Sequence, residues 1–218
     1  MAKSIKAGVI LIFLSLFILV VIAAPKMPTE FCYTALITSG EFFQEIRHYQ
    51  SDNRVRQVVR SMDFQPSVTI IRPDLSVIWI FDEGATEYSE SPYDPKLTPE
   101  IFSFDLPDSS VIKRKTMGRE KILGYDTIKT RLTDLTVPEW EAFIWNASQL
   151  GGLTLKKMEQ VINDGEVIFK LSVEITEIEV KPIPKEYFEL PEGMTLVEDG
   201  LQPKTDIWEN EFLPELHY

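Results

Sequence analysis

Thr69-Ile-Ile-Arg-Pro-Asp-Leu-Ser-Val-Ile-Trp-Ile-Phe81 decides the fold. Two short apolar runs, Val68 to Ile71 and Ser76 to Phe81, flank Arg72-Pro-Asp-Leu75. Proline at the second turn position pre-sets φ, and aspartate favours the turn that follows, so the stretch is a β-hairpin. Val77-Ile-Trp-Ile-Phe81 is apolar at consecutive positions, which predicts a strand covered on both faces.

The same punctuation recurs along the chain. Phe31 to Ser39 is a β-rich run closed by Gly40. Phe43 to Gln50 and Arg54 to Met62 flank the polar turn Ser51-Asp-Asn53, giving a hairpin with one face in water. Glu87 to Glu90 is a short strand. Val111 to Glu120 and Tyr125 to Thr133 are strands around Leu123-Gly124. Glu139 to Asn146 and Leu153 to Ile162 are separated by Gly151-Gly152. Asn163-Asp-Gly165 is a strong hairpin signal. It opens the longest expected strand, Glu166 to Val180, in which Phe169, Leu171, Val173 and Ile175 alternate with polar residues; the phase changes at Ile178 and predicts a bulge near Glu177. Pro182 and Pro184 end that strand, and Phe188-Glu-Leu-Pro191 is expected to dock an apolar pair at the sheet edge. Between Ser91 and Ser110 lies a proline-rich excursion with a short helix expected over 97–104.

The N-terminus is of another kind. Lys3 and Lys6 precede 18 residues, Ala7 to Ala24, that are apolar save Gly8 and Ser15. This is a secretory signal with small-residue cleavage sites at its end. Its length also suffices to span a bilayer at ~1.5 Å per residue, so a cleaved signal peptide and a retained signal anchor both stand. Either places the rest outside the cytoplasm, in a periplasm or cell envelope, with membrane contact through residues 7–24 if the segment is uncleaved. The expected domains are residues 1–24 as signal or anchor, 25–197 as one β domain, and 198–218 as an acidic tail carrying Trp208, Phe212, Leu213 and Tyr218.

The 22 basic residues include Lys3 and Lys6, so the chain beyond the leader carries 20 against 34 Asp and Glu. Such a balance disfavours nucleic acid and anionic membrane surfaces as partners. The single cysteine, Cys32, excludes an internal disulfide; among Phe31, Tyr33 and Leu36 it is expected to be a buried strand thiol. Two distant histidines, His48 and His217, make no metal cluster. His48, in a charged hairpin arm, is expected at the surface. No nucleophile elbow and no phosphate loop appear. Glu177 and Glu179 suggest at most a weak Ca²⁺ contact, and Asn146-Ala-Ser148 fits a glycosylation sequon. The chain is therefore expected not to be an enzyme, and no cofactor and no catalytic or metal residue is assigned.

Three segments resemble the LolA/LolB-like envelope protein superfamily, over roughly residues 30 to 195 and in the expected order. They are Thr69 to Phe81 with Tyr88; Gly118-Arg-Glu-Lys-Ile-Leu-Gly-Tyr-Asp126, similar to a G-x-E-x-x-x-G-Y segment of an uncharacterised branch; and Trp140…Gly152-Leu-Thr-Leu-Lys156 followed by Ile175…Phe188-Glu-Leu-Pro-Glu-Gly193. The carriers' cavity-switching arginine has no assignable equivalent here, and a membrane-inserting loop and a lipobox are not evident. The resemblance implies a mainly β fold: a single curved antiparallel sheet, an open half barrel, with a few short helices or loops over its concave face. It also implies an apolar groove that takes acyl chains of lipoprotein or lipid. Trp79, Phe143 and Trp145 are expected near that groove, with Val77, Phe81, Leu171, Val173 and Ile175 as wall or core. A one-residue register slip would invert the assignment. The alternative function is a membrane-anchored envelope sensor or protein-interaction domain on the same scaffold, which a groove filled by the chain's own tail would favour.

Overall fold

The computed structural model describes residues 26–62, 64–95 and 111–197. The leader, the helix expected over 97–104 and the acidic tail lie outside the described residues. Twelve strands form one curved sheet that does not close: β1 (Glu30–Ser39), β2 (Phe42–Ser51), β3 (Arg54–Ser61), β4 (Ser67–Arg72), β5 (Val77–Asp82), β6 (Glu87–Pro92), β7 (Ile112–Ile122), β8 (Tyr125–Asp134), β9 (Trp140–Ala147), β10 (Leu153–Asn163), β11 (Glu166–Glu179) and β12 (Thr195–Leu196). Their spatial order is β12-β6-β5-β4-β3-β2-β1-β11-β10-β9-β8-β7. Two antiparallel meanders, β1 to β6 and β7 to β11, thus meet where β1 pairs with β11. Every pairing is antiparallel except that of β12 with β6. The described residues hold two 3₁₀ turns, Ser148–Leu150 and Lys185–Phe188, and no α-helix.

The turns follow from their residues. Asp164-Gly165 joins β10 and β11 with φ of 51° and 83°, the left-handed pair that a two-residue hairpin requires. In the decisive hairpin, Leu75 N–H donates to the Arg72 carbonyl (3.0 Å) and Ser76 takes φ 60° to re-enter the sheet. The bulge expected near Glu177 is present: Thr34 opposes Glu177 and Ala35 opposes Ile175, which leaves Thr176 as the extra residue.

Gly151 caps the Ser148–Leu150 turn at φ 67°, and a methyl group on it would collide with the backbone of Met27. Gly151→Ala should therefore cost at least about 1 kcal/mol from the left-handed backbone alone, with displacement of residues 26–27 on top. A thermal melt coincident with that of the parent protein would refute this account of the contact.

Cross-strand partners share a face. The front face carries Trp79, and the row Trp79, Ile70, Arg56, Tyr49, Cys32 crosses β5 to β1 on it. The row Leu36, Glu174, Lys156, Trp145, Lys129 continues the same face from β1 to β8. The back face carries Ile37, Val173, Lys157 and Ile144 in one row, and Leu171, Glu159, Ala142 and Leu132 in the next.

Candidate functional site

On β5, Trp79 and Phe81 are buried, whereas Ile78 and Ile80, on the other face, are half-buried. The cover over Trp79 is the chain itself. After β11 the residues 181–194 run across the front of β3, β4 and β5, and Ile183 and Phe188 complete a core of Val58, Val68, Ile70, Trp79 and Phe81. Val77, Leu190 and Met194 pack around it. Phe188 was expected at the sheet edge. It lies instead on the face, fully buried, and the edge is met later, where Thr195 and Leu196 pair with Glu87 and Tyr88.

Three arginines hold this strap. Arg72 donates to the Phe188 carbonyl (3.0 Å) and pairs with Glu189 and Asp74 at 2.8 Å each. It thereby keeps the Asp74 carboxyl below its ordinary range. Arg56 donates to the Tyr187 carbonyl (3.3 Å), and the Arg54 guanidinium sits 5.1 Å from the centre of the Phe188 ring. The Trp79 indole donates to Glu90 at 2.9 Å. Cys32 is half-buried beside this core, and burial pushes its thiol pKa up, the opposite of what a reactive thiolate needs.

Phe143 and Trp145 share the front face with Trp79 but lie across the sheet on β9, among charges. The Lys129 ammonium stands 4.7 Å from the Trp145 ring centre and 5.0 Å from that of Phe143, with Lys156 at 5.8 Å from Trp145. The Trp145 indole donates to Glu120, and Lys156 pairs with Glu174 at 2.8 Å. An open cleft of about 490 Å³ beside them is bounded by Glu120, Ile122, Trp145, Lys156, Glu174 and Ile175. Its walls are as charged as they are apolar.

The back face is the more apolar surface of β1 and β8 to β11. Ile37, Leu132, Ala142, Ile144 and Val173 are buried on it, and Leu171 is half-buried. Among the described residues no helix packs across it: one 3₁₀ turn belongs to the strap and the other to the β9–β10 connection. Ile175 sits at the β11 bulge in a separate cluster with Phe31, Tyr33, Leu150 and Leu155. The eight residues singled out in the sequence therefore do not share one groove. Trp79, Val77 and Phe81 lie under the strap, Phe143 and Trp145 under lysines, Leu171 and Val173 on the back face, and Ile175, at the bulge, lines the open cleft with Trp145.

His48 corrects an expectation. It is buried, not at the surface, because strand alternation turns it away from Arg47 and onto the back face. There it stacks on Tyr33 (ring centres 4.6 Å, 9° apart) and Phe31 (5.7 Å). Its Nδ1 meets the Gln57 amide at 3.1 Å and its Nε2 the Gln50 carbonyl oxygen at 3.5 Å. Burial lowers its pKa from 6.5 to about 4, against the opposing hydrogen bond that the ring donates to Gln50. The sequon residue Asn146 is also engaged: its amide donates to the Gly152 carbonyl (2.9 Å) and to Thr154 (3.0 Å). Among the described residues no group of three or more His, Cys, Asp or Glu could hold a metal ion.

No protein-family model matches the chain, and no curated protein does. Several solved structures are similar in fold. The MucA/MucB complex of Pseudomonas aeruginosa matches at 15% identity and TM-score 0.47, over 77% of this chain and 58% of that one. Lipoprotein LppX of Mycobacterium tuberculosis matches at 11% identity and TM-score 0.43, over 72% and 89%. A LolA superfamily protein of Nitrosomonas europaea matches at 10% identity and TM-score 0.33, over 76% and 92%. The chain thus spans little more than half of the MucB-complex chain it matches. All three likenesses are distant in sequence.

Proposed function

We propose that this chain is an exported, non-enzymatic binding protein of the cell envelope that holds acyl chains of lipid or lipoprotein against the back face of its sheet. One observation carries the reading. Among the described residues the sheet carries apolar side chains on both faces, and the strap made by residues 181–194 covers the front. A sheet needs a second layer over each apolar face, and an acyl chain supplies one at about 0.8 kcal/mol per buried CH₂ without any specific polar contact. Leu171, Val173 and Ile144 are the residues proposed to touch it. Trp79, Val77 and Phe81 support the sheet from beneath the strap.

The test is native mass spectrometry of the exported chain purified without detergent. The expected spectrum contains an adduct of lipid mass that extraction removes and added phospholipid restores. Val173→Glu should abolish it, and Val173→Ala, which keeps the surface apolar, should retain most of it. A clean unliganded mass, with no uptake of phospholipid or acylated peptide, would overturn the proposal. The second reading, an envelope protein-interaction domain, is favoured by one observation: the Trp79 surface is already occupied by residues 183–194.

A further inference from the structure

We infer that the outer edge of β7 is a docking site for an extended acidic peptide, which adds to the sheet as a further strand. Among the described residues β7 is the end of the sheet and pairs on one side only, with β8. Its residues from Lys113 to Lys121 are all exposed, so the edge is long and uncovered. Such an edge presents unpaired backbone N–H and C=O groups to any chain able to match them. At the opposite edge the protein already accepts a short added strand, β12 on β6.

Charge selects the partner. The chain as a whole carries −12, yet Ile112-Lys-Arg-Lys-Thr116 places three consecutive cations on this edge. Lys113 and Lys115 point to the front, opposite Thr133 and Arg131, and Arg114 points to the back, opposite Leu132. Further along, Arg119 and Lys121 repeat the basic character on the back. Lys115 stands opposite Arg131, whose charge is taken up by Glu141 at 2.6 Å, whereas Lys113 stands opposite the neutral Thr133. Cations on both faces do not make a plane, as a membrane surface would ask. They make a ridge that follows the strand, and a strand with consecutive acidic residues matches it on both sides at once. The same cations repel a second copy of β7. The bulge at Met117, where Gly118 takes φ 152°, ends the regular stretch and limits the docking segment to Ile112–Thr116.

The test uses the full chain and a capped synthetic peptide with three consecutive glutamates between β-branched residues. Binding should be measurable by fluorescence anisotropy and should weaken with salt. Amide exchange should slow in residues 112–116. The exposed double variant K113E/K115E should bind about tenfold more weakly while melting with the parent. A peptide of the same charge, N-methylated at alternate backbone positions, should lose binding, because it can no longer pair as a strand. Equal binding of the N-methylated peptide would reduce the site to non-specific charge and overturn the proposal. So would absence of peptide binding, or Lys113- and Lys115-dependent binding of phosphatidylglycerol vesicles in its place.

Discussion

Phe188→Ala is expected to remove about 3–5 kcal/mol of stability, the range for emptying a fully buried phenylalanine site, and this is a large share of the 5–15 kcal/mol typical of a domain. Phe188 is fully buried and belongs to the only cluster that joins the strap to the sheet's front face among the described residues. Its loss acts twice. It opens a cavity against Val58, Val68, Ile70 and Phe81, and it weakens the hold of residues 181–194 on β3 to β5. The arginine contacts do not fill the cavity, because Arg54 stacks on the deleted ring, while Arg56 and Arg72 hold only strap carbonyls and the neighbouring Glu189. Urea unfolding should show a lower midpoint with an unchanged slope. Amide exchange should quicken in residues 183–194 and on β4 and β5 before it changes on β8 to β10. Phe188→Leu should cost much less, since it keeps most of the volume. A loss below about 1 kcal/mol for the alanine variant would show that the strap is peripheral to the fold.

The hairpins were legible in the sequence because turn chemistry is local. Arg72-Pro-Asp, Asn163-Asp-Gly165 and Ser51-Asp-Asn53 each specify a reversal within a few residues, and the strands on either side follow by alternation. The β11 bulge was legible for the same reason, as a break of phase within one strand. What was not legible is what covers each stretch of a face. Phe143 and Phe81 look alike in sequence, yet one packs under Lys129 and the other under the strap. Their faces depend on pairings that run through β1 and β11, residues far apart in the chain. Phe188 was misplaced because nothing near it states how far the chain travels after Pro184. A signal did exist on the sheet: Arg54, Arg56 and Arg72 recur on the face that also carries Ile70 and Trp79. Arginines flanking an apolar strip suit a covering segment whose carbonyls need donors.

These placements also narrow the function. A ligand groove that used Trp79 would have to expel the strap, breaking Arg72's bonds to Phe188 and Glu189 along with the buried core. The proposed acyl site is therefore placed on the back face, away from the strap.

His48 gives the second large effect, a loss of stability in mild acid that belongs to one residue. Its folded pKa, about 4, lies below the ordinary 6.5 because the ring is buried between Tyr33, Phe31 and Gln57. Between those two values the unfolded chain binds a proton that the folded chain refuses, so stability falls as pH falls. The contribution is fully present above about pH 6.5, declines through the window, and stops changing below about pH 4, by which point about 3 kcal/mol has gone. Carboxylates obey a different window. Asp74 and Asp134 have pKa values held below 3.8 by Arg72 and by Thr136 respectively, so their losses come at lower pH. The measurement is chemical denaturation at closely spaced pH values from 7.5 to 4.5 for the parent and for His48→Gln. The variant should be less stable at neutral pH, having lost the stacked ring, but its stability should change little across the window while the parent's falls steeply. Parallel curves for the two proteins would mean that His48 titrates normally in the folded chain, and that the back face around it is open to water.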